Sequence, residues 1–237
     1  MHSPNPTNHV LASLASSDAD ALRPHMQSID LPQGKVVGEA GKAIDRVIFP
    51  NSGIISVVVA LSTGEMIEIG MIGRESVLGG SAAVEDDVFL NRAIVQVDGA
   101  ATVIGATHIR QVAAQSPALR ATFMKHERML LAQSQQSAAC NALHELEGRL
   151  ARWLLRARDA VGSDDLALTQ EFLSQMLGVR RTSVTMIASA LQKAGVIKYK
   201  RGHIRILNVD GLRECACECY ASVKTMSDRL IGVAPGS

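Results

Sequence analysis

The chain has 237 residues, 47% hydrophobic but only 3% aromatic, with a formal net charge of +1. That length fits one large domain or two smaller ones, with cores built from Leu, Val, Ile, Ala and Met. No apolar run reaches the ~18 residues of a membrane span, and the opening residues lack the basic-then-apolar order of a secretory signal, so neither a helical membrane protein nor an exported one is expected. The charge is unevenly placed. Residues 1–147 hold 10 Lys and Arg against 15 Asp and Glu, whereas residues 148–237 hold 14 against 8. An acidic front and a basic rear imply two jobs, and only the rear gains affinity for nucleic acid by neutralising phosphates. Four cysteines without an export signal fit a reducing cytoplasm.

Residues 1–9, rich in Pro, Asn, Ser and His, read as a disordered tail. From Val10 to Met26, Leu11, Leu14, Ala15 and Leu22 suit short helices broken at Pro24. From Ile29 to about Ile109 the chain breaks into short apolar pieces separated by Gly or Pro: Lys35–Val37, Val47–Phe49, Ile54–Leu61, Met66–Ile69, Val88–Val97 and Ala101–Ile104. That spacing argues an antiparallel sandwich or barrel, with Ser62-Thr63-Gly64 as a hairpin turn.

Ser116 as N-cap and Pro117 at the first helical position restart a helical pattern. No proline follows until well past Ala160. Leu119, Phe123, Met124, Leu130 and Leu131 supply the apolar residues of a first part, expected to dimerise to about Ser137. A break near Cys140-Asn141 leads to a second helix carrying Leu143, Leu146, Leu150, Trp153, Leu154 and Ala157. The loop Val161–Asp165 follows.

Residues 169–195, TQEFLSQMLGVRRTSVTMIASALQKAG, then read as two short helices around a Gly178 turn, the layout of a helix-turn-helix. Thr169 caps the first helix, which buries Phe172, Leu173, Met176 and Leu177. In the second, Val184, Ile187, Ala188 and Leu191 face inward, leaving Arg181, Thr182, Thr185, Met186 and Ser189 outward. Arg181 suits a bidentate contact to guanine O6 and N7, with Thr182, Thr185 and Met186 as further base-contact candidates. Residues 196–207, VIKYKRGHIRIL, alternate about an Arg201-Gly202 turn and predict a two-stranded wing. Arg180, Ser183, Lys198, Lys200, Arg201 and His203 are the candidate phosphate contacts. Val209 to Leu230 reads as a last helical segment. On one continuous helix Cys215 and Cys219 share a face and Cys217 points elsewhere, so no metal ligands are assigned from the C-x-C-x-C run.

The order of short-strand domain, long helix and winged helix-turn-helix resembles the cyclic-AMP receptor protein and FNR family of bacterial transcription regulators. The resemblance covers roughly residues 25–230 and is strongest over 168–197. It implies an α+β chain: an N-terminal tail with short helices (1–28), a cyclic-nucleotide-binding-like β-roll of double-stranded jelly-roll type acting as sensor (29–115), a dimerisation helix (116–139) and a winged helix-turn-helix DNA-binding domain (140–237). It further implies a cytoplasmic homodimer on a palindromic double-stranded site, acting through RNA polymerase. Arg181 matches the family's guanine-reading arginine, but Thr182 stands where an acidic residue is usual and Met186 where a second arginine can occur.

The resemblance weakens in the sensor. Glu75, Ser76 and Arg92 are the candidate effector pocket, yet the Arg-Ser-Ala run of the cyclic-phosphate site is replaced by Asn91-Arg92-Ala93. A cyclic nucleotide is therefore weakly supported. The FNR-type iron–sulfur cluster is argued against, because no cysteine precedes Cys140, and scattered histidines do not support haem. No catalytic motif recommends an enzyme: the segment GMIGRESVLGG (70–80) lacks the Gly-Lys-Ser/Thr end of a P-loop. The alternative is a winged helix acting mainly through protein–protein contacts, which an outward face carrying Arg181, Thr182 and Thr185 does not favour.

Overall fold

The structure, a computed structural model, describes residues 8–231. The expected tail lies mostly outside that range. Asn8, at its end, does not belong to a tail: it is buried and caps α1 (His9–Ala12), its carbonyl accepting from the amides of Val10 and Leu11. Its side-chain amide donates to the carbonyls of Pro50, at 2.8 Å, and Ser76, at 3.0 Å. Helix α2 (Ser16–Leu22) and one tight helical turn at Arg23–His25 complete the lead-in.

The strands that follow are β1 (Gln27–Leu31), β2 (Val36–Gly38), β3 (Arg46–Pro50), β4 (Ile54–Ala60), β5 (Met66–Ile72), β6 (Arg92–Val97) and β7 (Gly99–Gly105). They form two antiparallel sheets, ordered β1-β7-β3 and β2-β6-β4-β5. Leu31, Val47, Phe49, Ile55, Val57, Val95 and Val103 fill the space between the sheets. β4 is buried on both faces. Ile55 and Val57 enter this core, whereas Ile54 and Val58 join a second core shared with the rear of the chain. That explains its nearly continuous apolar run, interrupted by the buried Ser56, since alternation disappears when neither face meets water.

The strand region ends sooner than expected. Residues 106–109 open α3 (Ala106–Gln115), which buries Ala106, Ile109 and Ala113 along one helical face. Then comes α4 (Pro117–Leu143), with the Ser116 hydroxyl accepting from the Leu119 amide at 3.1 Å. The helix does not break at Cys140-Asn141. Residues 134–142 contain neither Gly nor Pro, and Gln133, Ser137 and Cys140 continue its buried face. The break falls at His144-Glu145, before α5 (Leu146–Val161). Leu119 and Phe123, expected to serve a dimer, are fully buried within this chain.

The rear comprises β8 (Asp165–Ala167), α6 (Gln170–Leu177), α7 (Arg181–Lys193), β9 (Ile197–Lys200), β10 (His203–Ile206), α8 (Val209–Cys215) and α9 (Cys219–Ile231). The wing has three strands rather than two, because residues 165–167 pair with β10 in the order β8-β10-β9. The expected last helix is two: the chain leaves helical geometry at Ala216 and resumes at Cys219. Trp153, Leu154, Leu173, Leu177, Val184, Leu191 and Ile204 centre the second core, which reaches onto the sheet through Ile54, Val58, Met71 and Val97. Among the described residues no helix is long and apolar enough to cross a membrane.

Candidate nucleic-acid interface

The helix-turn-helix is set by its caps. The Thr169 hydroxyl accepts from the Phe172 amide at 3.2 Å, and Glu171 sits in the first turn of α6, where the helix dipole favours negative charge. Gly178 ends α6 at φ 62°, a left-handed conformation costly for residues with a side chain. A Cβ there would also come within 2.9 Å of the Ile67 side chain on β5, so the turn leans on the N-terminal β-roll.

α7 buries Val184, Ala188 and Leu191 and presents the opposite face to solvent. Arg181, Thr182, Thr185, Met186 and Ser189 are all exposed, Met186 at 65%. The structure therefore brings the four base-contact candidates onto one face of one helix. Thr185 is not free, however. Its hydroxyl lies 2.7 Å from Gln170 Oε1 and 3.0 Å from the Arg181 carbonyl. Gln170, at the start of α6, thus touches the outward face of α7 and adds a polar group that sequence reasoning missed. Its place directly after the Thr169 cap was the available signal.

The wing supplies a second cationic surface. Its turn has positive φ at both Arg201 (48°) and Gly202 (82°), the conformation of a two-residue turn that matches strand twist. Ile204 faces Tyr199 and Ile206 faces Ile197 toward the core. The other face sets His203 opposite Lys200 and Arg205 opposite Lys198. Arg205 and Lys198 are like charges directly across an antiparallel pair, an arrangement that destabilises the sheet and that an anionic backbone would relieve. Arg205, half of one such pair, was not among the expected phosphate contacts, although the alternation places it with His203. It also lies 3.7 Å from Asp165 in an exposed pair. Among the described residues Arg180, Arg181, Lys198, Lys200 and Arg201 form no ion pair. Arg180 is exposed at the N-cap of α7 and Ser183 is half-buried in its first turn.

The effector candidates do not converge. Arg92 is bound to Glu39, its Nε 3.1 Å from both carboxylate oxygens. Ser76 is buried, with its hydroxyl 3.3 Å from His126 Nδ1. Glu75 instead lines a cavity with Arg74, Arg156, Asp159 and Tyr220, between the β-roll and the last described helix. The space between the sheets and α4 is a different cavity of about 350 Å³. Its lining includes Val57, Leu78, Phe89, Met124 and Leu130, the carboxylates of Glu85, Asp87 and Glu127, and, among the described residues, no Lys or Arg. Burial pushes the Glu127 carboxyl above its usual range.

Residues 148–215 match the Crp-like helix-turn-helix domain family. Over 195 residues, 79% of this chain and 80% of the relative, the chain is 22% identical to the transcriptional regulatory protein btr of Bordetella pertussis. Among solved structures it resembles FixK2 of Bradyrhizobium japonicum, with TM-score 0.69 and 15% identity over 81% of this chain and 98% of that one. A Crp/Fnr-family regulator of Eubacterium rectale gives TM-score 0.66 and 17% identity over 85% and 94%. CLP of Xanthomonas campestris, described as a c-di-GMP-responsive global regulator, gives 0.65 and 14% over 81% and 99%. At these identities the structural likenesses show the fold, a β-roll, long helix and winged helix-turn-helix. Fold and matched domain together define a sequence-specific DNA-binding transcription regulator rather than an enzyme. The chain thus carries a Crp-like helix-turn-helix domain on a fold shared with a solved regulator of the Crp/Fnr family.

Proposed function

We propose that the chain works as a homodimer on a palindromic operator, with the β-roll sensing a signal that sets the spacing of two α7 helices. Arg181 reads a guanine, and Thr182, Thr185 and Met186 contact neighbouring bases. Arg180, Ser183, Lys198, Lys200, Arg201 and His203 hold phosphates. The observation that carries this reading is the exposed polar face of α7 flanked by the unpaired cations of the wing. Two copies read half-sites ~34 Å apart.

Support for the dimer comes from α4. Its outward stripe, Ala121, Met124, Arg128, Leu131, Gln135 and Ala138, is exposed, with Leu131 at 57% and Met124 at 44%. Such a stripe at helical spacing suits packing against a second copy. In the sensor, the acidic and apolar lining beside α4 disfavours a cyclic phosphate and favours a neutral or cationic ligand. Output then runs through RNA polymerase bound beside the operator. Selection of bound sequences from random DNA by the purified chain tests the reading. A palindrome with half-sites one helical turn apart supports it, whereas asymmetric or sequence-independent recovery overturns it.

A further inference from the structure

The end of the longest helix and the start of the last one bring four side chains together. Cys140 lies on the final turn of α4, and His144 is the residue that ends it. Cys217 lies between α8 and α9, and Cys219 opens α9. Their ligand atoms are all within 4.8 Å of one another. Cys140 Sγ is 3.5 Å from Cys217 Sγ, and Cys219 Sγ is 3.4 Å from His144 Nδ1.

The geometry points to a mononuclear tetrahedral site for a zinc-class divalent ion, held by Cys140, His144, Cys217 and Cys219. Metal–sulfur bonds of ~2.3 Å and a metal–nitrogen bond of ~2.0–2.1 Å give a tetrahedron with edges of about 3.5–3.8 Å. The side chains already stand near those separations. An iron–sulfur cluster holds its thiolates farther apart, because several metal atoms lie between them. Three thiolates and an imidazole select a soft or borderline ion over magnesium or calcium, and four protein ligands close the coordination sphere.

The surroundings are built for the same task. His144 Nε2 is 3.1 Å from Glu218 Oε1. With the Nε2 proton donated to that carboxylate, the Nδ1 lone pair is directed at the cluster, the usual support for a ligating histidine. Gln136 donates to Cys219 Sγ at 3.0 Å, and the Cys217 amide donates to the Gly148 carbonyl at 3.3 Å. A Cβ on Gly148 would stand 3.4 Å from Cys217 Cβ, so glycine there lets α5 approach the cysteine loop. Three thiolates around a divalent ion leave one net negative charge. Arg149 and Arg152, buried on α5 with Nε atoms that lack hydrogen-bond partners among the described residues, offset it. Cys215 is outside the group, because the break in the C-terminal helix turns Cys217 and Cys219 inward together. The ion fastens α9 to the junction between α4 and α5.

Titration of the full-length reduced chain with Co²⁺ tests the site. The expected result is one Co²⁺ per chain, with the intense visible bands of a tetrahedral ion, a thiolate-to-cobalt charge-transfer band, and displacement by one Zn²⁺. Cys217→Ser abolishes stoichiometric binding and Cys215→Ser leaves it intact. Glu218→Gln, on the surface, weakens affinity ~10–100-fold and carries the test if Cys217→Ser fails to fold. Weak octahedral bands, or binding indifferent to both Cys217→Ser and Glu218→Gln, overturn the proposal. So does a chromophore that requires iron and sulfide, or a Cys140–Cys217 disulfide as the sole chemistry of the group.

Discussion

The indole Nε1 of Trp153 donates to Glu68 Oε1 at 2.9 Å, joining α5 to β5 where both residues are buried. The Ser56 hydroxyl donates to the other carboxylate oxygen. Burial outweighs these hydrogen bonds and the nearby guanidiniums of Arg156 and Arg152, and raises Glu68 to about 7. A carboxyl with a raised folded pKa contributes stability that is full below its unfolded value and is lost as pH rises through the folded one. The window is pH 4.5 to about 7, and the loss is of order 3 kcal/mol.

His126 has the opposite sign. Burial, then Lys125, lower it from 6.5 to about 4, so stability is lost as pH falls through that interval. The two slopes oppose one another between pH 4.5 and 6.5. Glu127, which burial also raises, adds to the Glu68 slope, so denaturant melts of the wild-type chain should show stability declining gently with pH there. Glu68→Gln should unmask stability that rises with pH from about 4 to 6.5, and His126→Gln stability that falls from 4.5 to about 7. A flat profile for both variants would show that neither group titrates as its surroundings dictate.

Arg181→Ala should lose ~1–3 kcal/mol of discrimination at one base pair in each half-site while leaving other positions unchanged. Electrophoretic titration against base-substituted operators measures it. An equal loss on every sequence would move Arg181 from base reading to phosphate binding.

Lys200→Ala and Arg205→Ala should act differently. Each weakens binding about equally on all sequences and reduces the slope of log affinity against log salt by ~0.9, one phosphate contact apiece. Arg205 is the sharper case, since relieving its repulsion with Lys198 should leave the free protein's thermal stability unchanged or raised. A salt slope unchanged by either substitution removes the wing from the interface.

Leu131→Glu should convert the proposed dimer to monomer without unfolding the chain, because that side chain is 57% exposed. Two like charges would then meet across a helix pair. Sedimentation velocity reads the mass and circular dichroism the fold. A Leu131→Glu dimer would place the axis elsewhere than α4.

The helix-turn-helix was legible because its signals are local: Thr169 caps, Gly178 turns, and Val184, Ala188 and Leu191 keep one face within eight residues. The wing was legible for the same reason, through Arg201-Gly202 and the isoleucines around it. β8 escaped notice because three residues do not make a period, and Ala106–Gln115 because its buried face shows only Ala106, Ile109 and Ala113. The effector candidates were chosen by proximity along the chain, and the Glu39–Arg92 pair, 53 residues apart, cannot be seen that way. The meeting of Cys140 with Cys217 spans 77 residues and depends on two helix breaks, one expected a few positions too early and one, between α8 and α9, not expected at all. Each residue of shift turns a side chain by ~100° about the helix axis, enough to scatter a cluster or assemble one.

β4 serves as a party wall between the β-roll and the DNA-binding part. Swinging the DNA-binding part clear of the sheet would wet Ile54, Val58, Met71 and Val97, at ~6–12 kcal/mol for the sheet side alone. That is as large as the stability of a typical domain. A signal worth a few kcal/mol cannot drive such an opening, but it can shift one packed surface along another. The switch proposed for this chain is therefore a slide against a wall that stays dry.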